Sequence, residues 1–144
     1  MSRTQDPFAK AEMTANHWLA VVRDELDLED TMTAYRMLRA WLYTVRDRMP
    51  IEAAAHFAAQ LPELLRGVFF EGWKPSRVPE LYDVPVFIER FAAEAGIHRG
   101  QVPRAANAVT TALEELCSPG QLEHVLALMP RGLRDLLSGG AHVG

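Results

Sequence analysis

Two six-residue segments, Leu61-Pro62-Glu63-Leu64-Leu65-Arg66 and Met129-Pro130-Arg131-Gly132-Leu133-Arg134, repeat one apolar-Pro-x-x-Leu-Arg pattern at an offset of 68. Proline has no amide hydrogen to give a helix interior, yet its fixed φ suits the start of a helix. Each segment therefore predicts a corner at which one helix stops and another begins. The same corner must be built twice, which restricts the fold more than any other feature of the chain.

The repeat extends beyond the corners. Across 56–68 against 124–136, five of thirteen positions are identical, among them His56/His124, Pro62/Pro130 and Arg66/Arg134. Upstream, Leu38/Ala106, Trp41/Val109, Val45/Leu113 and Met49/Cys117 match in character. Self-similarity at a fixed period is the mark of a repeated structural unit.

Helical periodicity fills in the units. Tyr35, Leu38, Leu42, Val45 and Met49 are spaced 3, 4, 3 and 4, an apolar stripe along one helix face. Asp30 or Thr31 can cap that helix, and Arg36, Arg39, Arg46 and Asp47 are expected to face outward. A first helix is expected over about residues 8–26, a third over 51–60 and a fourth from Pro62 to Phe70. Asp83 can cap a fifth that Gly96 ends. A sixth runs from about Pro103 to Leu116 on Val102, Ala106, Val109, Leu113 and Leu116. Ser118-Pro119-Gly120-Gln121 reads as a capping box for the seventh, and Pro130 starts the eighth. No period-2 alternation suggests a strand. The sequence thus predicts an all-α bundle of about eight helices within a single domain, 1–144. Two pseudo-repeated four-helix halves, 8–70 and 84–137, flank a connector at 71–83, with a frayed tail at 138–144.

Composition excludes several functions. Net charge is −4, and both 1–70 and 71–144 carry −2 (eight basic against ten acidic side chains, then seven against nine). Nucleic-acid binding needs clustered basic residues, so none is expected. No long apolar run predicts a membrane span, and Met1–Lys10 is too polar for an export signal. Cys117 is the only cysteine, so a reducing, cytoplasmic setting is expected and the thiol should be buried and inert.

Several of these residues also form a familiar set. Ala34-Tyr35-Arg36-x-Leu38-Arg39-Ala40, Arg46-Asp47-Arg48, Ala53-Ala54-Ala55-His56, Ala58-Ala59-Gln60-Leu61-Pro62-x-Leu64-Leu65-Arg66-Gly67 and Glu71-Gly72-Trp73 resemble an uncharacterised bacterial family catalogued as domain of unknown function 2267. The likeness covers about residues 15–137 and is most specific from Tyr35 to Trp73. It implies a small, duplicated, all-helical bacterial protein and supplies no activity, cofactor or catalytic residue. The second half departs from the pattern at Gly132 and has no counterpart of Glu71-Gly72-Trp73.

Candidate chemistry is sparse. His56 and His124 occupy equivalent positions but lack the three or four converging ligands of a metal site and the Glu-x-x-His pairs of di-iron bundles. A haem would need an axial ligand inside an apolar cavity, and His98 falls in a loop. No resident metal or cofactor is therefore expected. Arg66 and Arg134 could hold an anion near a helix start, although capping carbonyls is the plainer role. Phe69-Phe70-Glu71-Gly72-Trp73 is the most unusual segment: aromatics in a Gly/Pro connector can anchor a partner or fold back over the seam between halves.

The best functional reading is a non-catalytic helical protein-interaction module, with a protein partner or a second copy meeting Phe70, Trp73 and Arg66. The alternatives are a small apolar ligand between the halves, where Ala53–Ala55 and Ala58–Ala59 could leave space, and an enzyme of unassigned chemistry.

Overall fold

A computed structural model of the chain describes residues 6–139. Among them run eight α-helices: α1 (Ala9–Glu25), α2 (Thr31–Arg46), α3 (Ile51–Ala58), α4 (Glu63–Phe70), α5 (Val84–Ala95), α6 (Val102–Leu116), α7 (Gln121–Ala127) and α8 (Arg131–Ser138). Short 3-10 turns at Pro75–Arg77 and Arg99–Gln101 complete the helical segments, and no described residue is in a strand. The fold is an all-α bundle, as the periodicity predicts. Of the expected tail, Ser138 ends α8 and Gly139 caps it in a left-handed conformation; residues 140–144 lie outside the described part.

Local chemistry sets most boundaries. Asp30 caps α2 from both carboxylate oxygens, accepting from the amides of Met32 (3.1 Å) and Thr33 (3.2 Å). The Thr33 hydroxyl first, and then these amide bonds, hold its carboxyl below the usual range. Asp83 accepts from the amide of Val84 at the start of α5, and Gly96 closes that helix at φ 72°. The two corner prolines have nearly the same backbone, φ −65°, ψ 159° at Pro62 and φ −63°, ψ 159° at Pro130. Each stands just before its helix, one residue earlier than the first-turn position expected from sequence.

The expected capping box at Ser118 does not form. Gly120, in a left-handed conformation, occupies the cap position of α7 without a side-chain bond. The Ser118 amide instead donates to Oε1 of Gln60, 58 residues away in the chain (3.1 Å). A box does close at His98–Gln101, where the His98 amide donates to the Gln101 side chain (3.0 Å).

Helices α2 and α6 cross at the centre, joined by a buried hydrogen bond from Trp41 Nε1 to Thr110 Oγ1 (2.9 Å). Neighbours from the two sides of the connector interleave: α1 packs on α6, α2 packs on α5, and α3 meets α7. Contacts within each side, such as α1 with α2 and α6 with α8, stand beside these contacts between the two sides. One continuous core includes Trp18, Trp41, Phe57, Phe69, Phe87, Phe91 and Leu133. Burial of such large side chains is the main term favouring the fold.

Candidate functional site

The connector expected over 71–83 is fixed to the end of α2 by Arg46, Asp47 and Arg48. Arg46 occupies the position after Val45 and one turn past Leu42, at the edge of the apolar stripe. It was expected to face outward, and the structure corrects this: Arg46 is only 4% exposed. The reason is the returning chain. Its Nη1 donates to the carbonyls of Phe69 and Glu71, both at 2.8 Å, satisfying acceptors that the end of α4 leaves without helical partners. Its Nε pairs with Asp47 Oδ1 at 2.8 Å, and its guanidinium lies 4.6 Å from the Tyr43 ring centroid.

The rest of the connector is tied down in the same way. The Glu80 amide donates to the Asp47 carbonyl (2.8 Å), and Arg48 Nε donates to the Tyr82 carbonyl (2.9 Å). The Tyr82 hydroxyl donates to the Thr44 carbonyl. Burial first, and then the nearby Asp47 carboxylate, push the Tyr82 phenol above its ordinary range, so it stays protonated and keeps donating. Arg90 closes the outer side, 3.0 Å from Glu80 and 4.4 Å from the Tyr82 ring centroid.

Two adjoining grooves result. One of about 480 Å³ is lined in part by Tyr43, Arg46, Asp47, Glu71, Arg90 and Glu94. The other, about 200 Å³, lies among Asp47, Gly72, Lys74, Arg77 and Glu80. Charge here is largely committed to internal pairs. Glu94 stands 2.9 Å from Arg39 Nε, too poorly aligned for a hydrogen bond, so that contact is an ion pair alone. Sequence reasoning missed this cluster. Its available signal was Arg46 lying at the edge of the stripe, two residues before a second Arg.

The residues predicted from sequence are placed as follows. Phe69 is buried, and Phe70 and Trp73 are half-buried against the core in a chain of ring contacts. Centroids are 5.7 Å apart for Phe57–Phe69, 5.1 Å for Phe69–Phe70 and 5.1 Å for Phe70–Trp73. The aromatics thus fold back under the connector, and the Trp73 Nε1 atom is buried without a hydrogen-bond partner. Arg66 works at the other end of α4. It donates to the carbonyls of Ala58 (3.2 Å) and Leu61 (2.8 Å), finishing the end of α3. The three residues do not form one surface.

Ala54 and Ala58 are core residues and Ala55 and Ala59 are exposed. A groove between the two sequence halves does exist elsewhere. It measures about 460 Å³ and is lined in part by Leu26, Asp27, Leu28, Met37, Ile97 and Arg104. Cys117 is buried and its thiol is pushed up to about 11 by desolvation. His56 and His124 meet on the surface, with ring centroids 6.0 Å apart. No group of three or more His, Cys, Asp or Glu side chains converges as metal ligands among the described residues, and no described helix is long and apolar enough to cross a membrane.

Residues 15–136 match the family model described as an uncharacterized conserved protein (DUF2267), and the chain belongs to that family. No curated protein matches it. Two of the stretches that carry the resemblance, Arg46-Asp47-Arg48 and Glu71-Gly72-Trp73, meet where Arg46 donates to the Glu71 carbonyl and so clamp the connector to the end of α2.

Proposed function

We propose that the chain is a non-catalytic helical module that acts through protein contacts, with the clamped connector as its contact edge. The observation that carries this reading is Leu81. It is 77% exposed, the most exposed large apolar side chain among the described residues. Its two neighbours are both tethered to the end of α2, Glu80 through its amide and Tyr82 through its carbonyl. An apolar side chain on a backbone fixed at both sides loses little freedom on entering a partner's pocket, which favours binding. In this reading Phe70 and Trp73 support the edge from beneath, and the exposed Lys74 and Arg77 form its charged rim.

Leu81→Asp tests it. The variant should keep the melting temperature and helical content of the parent. It should lose self-association in sedimentation, or lose a cross-linked partner recovered with the parent chain. If every such contact survives in Leu81→Asp, the connector is not the interface.

A second reading is favoured by the groove beside Asp27. There Leu26, Leu28, Met37 and Ile97 supply an apolar wall with Arg104 as a cation, and Asp27 holds a positive φ of 58°. Such backbone outliers cluster at ligand sites. A small apolar molecule with an anionic end suits this lining. Native mass spectrometry of freshly purified protein should show a bound mass that Arg104→Glu loses; an apo mass alone would end the idea.

The proposed role needs no nucleic acid, given the even acidic balance of the chain. The single buried cysteine supports a cytoplasmic setting, and the family resemblance supports a bacterial one. Origin by duplication of a four-helix unit is supported by the matched helix order and by the near-identical backbone at Pro62 and Pro130.

A further inference from the structure

His56 on α3 and His124 on α7 are both exposed, and their ring planes are inclined by 54° where the two helices touch. Each directly precedes a residue fixed in the core: Phe57 is 1% exposed and Val125 is 3%. The backbones that present the rings are therefore held by packing, while the rings themselves face water. Exposed imidazoles can turn about χ2, whose energy wells are broad, and so can aim a nitrogen without moving either helix.

Imidazole nitrogen binds Zn²⁺ at about 2.0–2.1 Å, which puts two rings on one ion at centroid separations of roughly 5–6 Å. The observed 6.0 Å lies at the upper edge of that range. Imidazole suits Zn²⁺, Ni²⁺ and Cu²⁺, with Cu²⁺ held most tightly among first-row divalent ions. We infer that His56 and His124 form a surface site for one such divalent transition-metal ion, ligated by one imidazole from each helix. With no third side chain converging among the described residues, water completes the coordination. The ion would tie α3 to α7, and protons compete for the same nitrogens, so affinity falls in acid.

The site is tested in a chain whose other histidines are replaced, His17→Gln, His98→Gln and His142→Gln. Calorimetric titration with Cu²⁺ near neutral pH should give one ion per chain. Electron paramagnetic resonance should show hyperfine splitting from two imidazole nitrogens. His56→Gln and His124→Gln should each weaken binding by about tenfold or more, with helical content unchanged because both positions are exposed. Zn²⁺ should raise the melting temperature, and either substitution should abolish the rise. Affinity retained in either single variant, a one-nitrogen spectrum, or no binding at about 100 µM Cu²⁺ would overturn the site. The ring contact would then be ordinary aromatic packing, whose centroid distances overlap this one.

Discussion

The chain turns a helix corner at a proline twice, and the two corners are finished differently. At Pro62 and Pro130 the backbone angles agree within a few degrees, and each proline carbonyl accepts the amide four residues on, from Arg66 at 2.8 Å and Arg134 at 2.9 Å. Beyond the backbone they diverge. Both arginines are exposed, but Arg66 finishes the end of α3 with two carbonyl bonds, and the Arg134 side chain makes none among the described residues. Leu64 points partly into water, while its counterpart Gly132 lies where a Cβ would come within 3.0 Å of Val84 Cγ2. After α4 the chain enters the clamp of Arg46, Asp47 and Arg48; the residues 68 positions later are Glu114, Glu115 and Leu116. A shared corner therefore fixes the path of the backbone, and the surroundings decide what each side chain does.

The strongest way to break this contrast is at Arg46. Arg46→Ala should cost about 2–4 kcal/mol, because it leaves a partly buried carboxylate and two carbonyls without their partner. Glu114→Ala, at the equivalent exposed position, should stay within about 0.5 kcal/mol. Urea denaturation of the two variants makes the comparison, and similar costs would remove the clamp as the distinguishing feature of the first half. Next in size is Gly132→Leu, which gives the second corner the residue of the first. Crowding against Val84 should cost about 1–3 kcal/mol, seen as a lower midpoint with an unchanged denaturant slope.

A smaller effect separates the two arginines. Arg66→Ala should lose about 1 kcal/mol with its carbonyl bonds, and Arg134→Ala should be close to neutral in the same assay. Smallest is a pH effect confined to the second half, where Cys117 occupies the repeat position of Met49. Its thiol titrates near 11 when folded against an ordinary value of 9.0. The unfolded chain gives up this proton first, so the contribution to stability is complete below about pH 9 and is lost as pH rises toward 11. The slope can be no steeper than about 1.4 kcal/mol per pH unit. Cys117→Ala should flatten the decline between pH 9 and 10, and an unchanged slope would assign it to other groups.

What could be read from the sequence followed one rule: local chemistry was legible and returning chain was not. The stripe from Leu38 to Met49, the Asp30 and Asp83 caps and the Gly96 stop depend on neighbours within a turn or two, and each was read correctly. Arg46 was misplaced because periodicity gives an angle around a helix, and says nothing of which carbonyls come back to meet it. The Ser118 box failed for a similar reason, since Gln60 reaches the Ser118 amide from the turn after α3. The aromatic segment was foreseen as unusual, but only the ring-to-ring path from Phe57 to Trp73 shows it packed. The candidate site was the least legible part, because Leu81 is distinguished by the tethers beside it.

The interleaving of helices has a consequence for how the chain must assemble. Because α1 rests on α6 and α2 on α5, the residues before the connector leave apolar surface uncovered without those after it, and the reverse holds too. A cut within Lys74–Pro79 should yield two fragments that are each poorly structured alone and regain helicity only when mixed. Their order would then depend on concentration, as in an obligate heterodimer. In the intact chain the clamped connector replaces that dependence with a fixed, high local concentration of one half for the other.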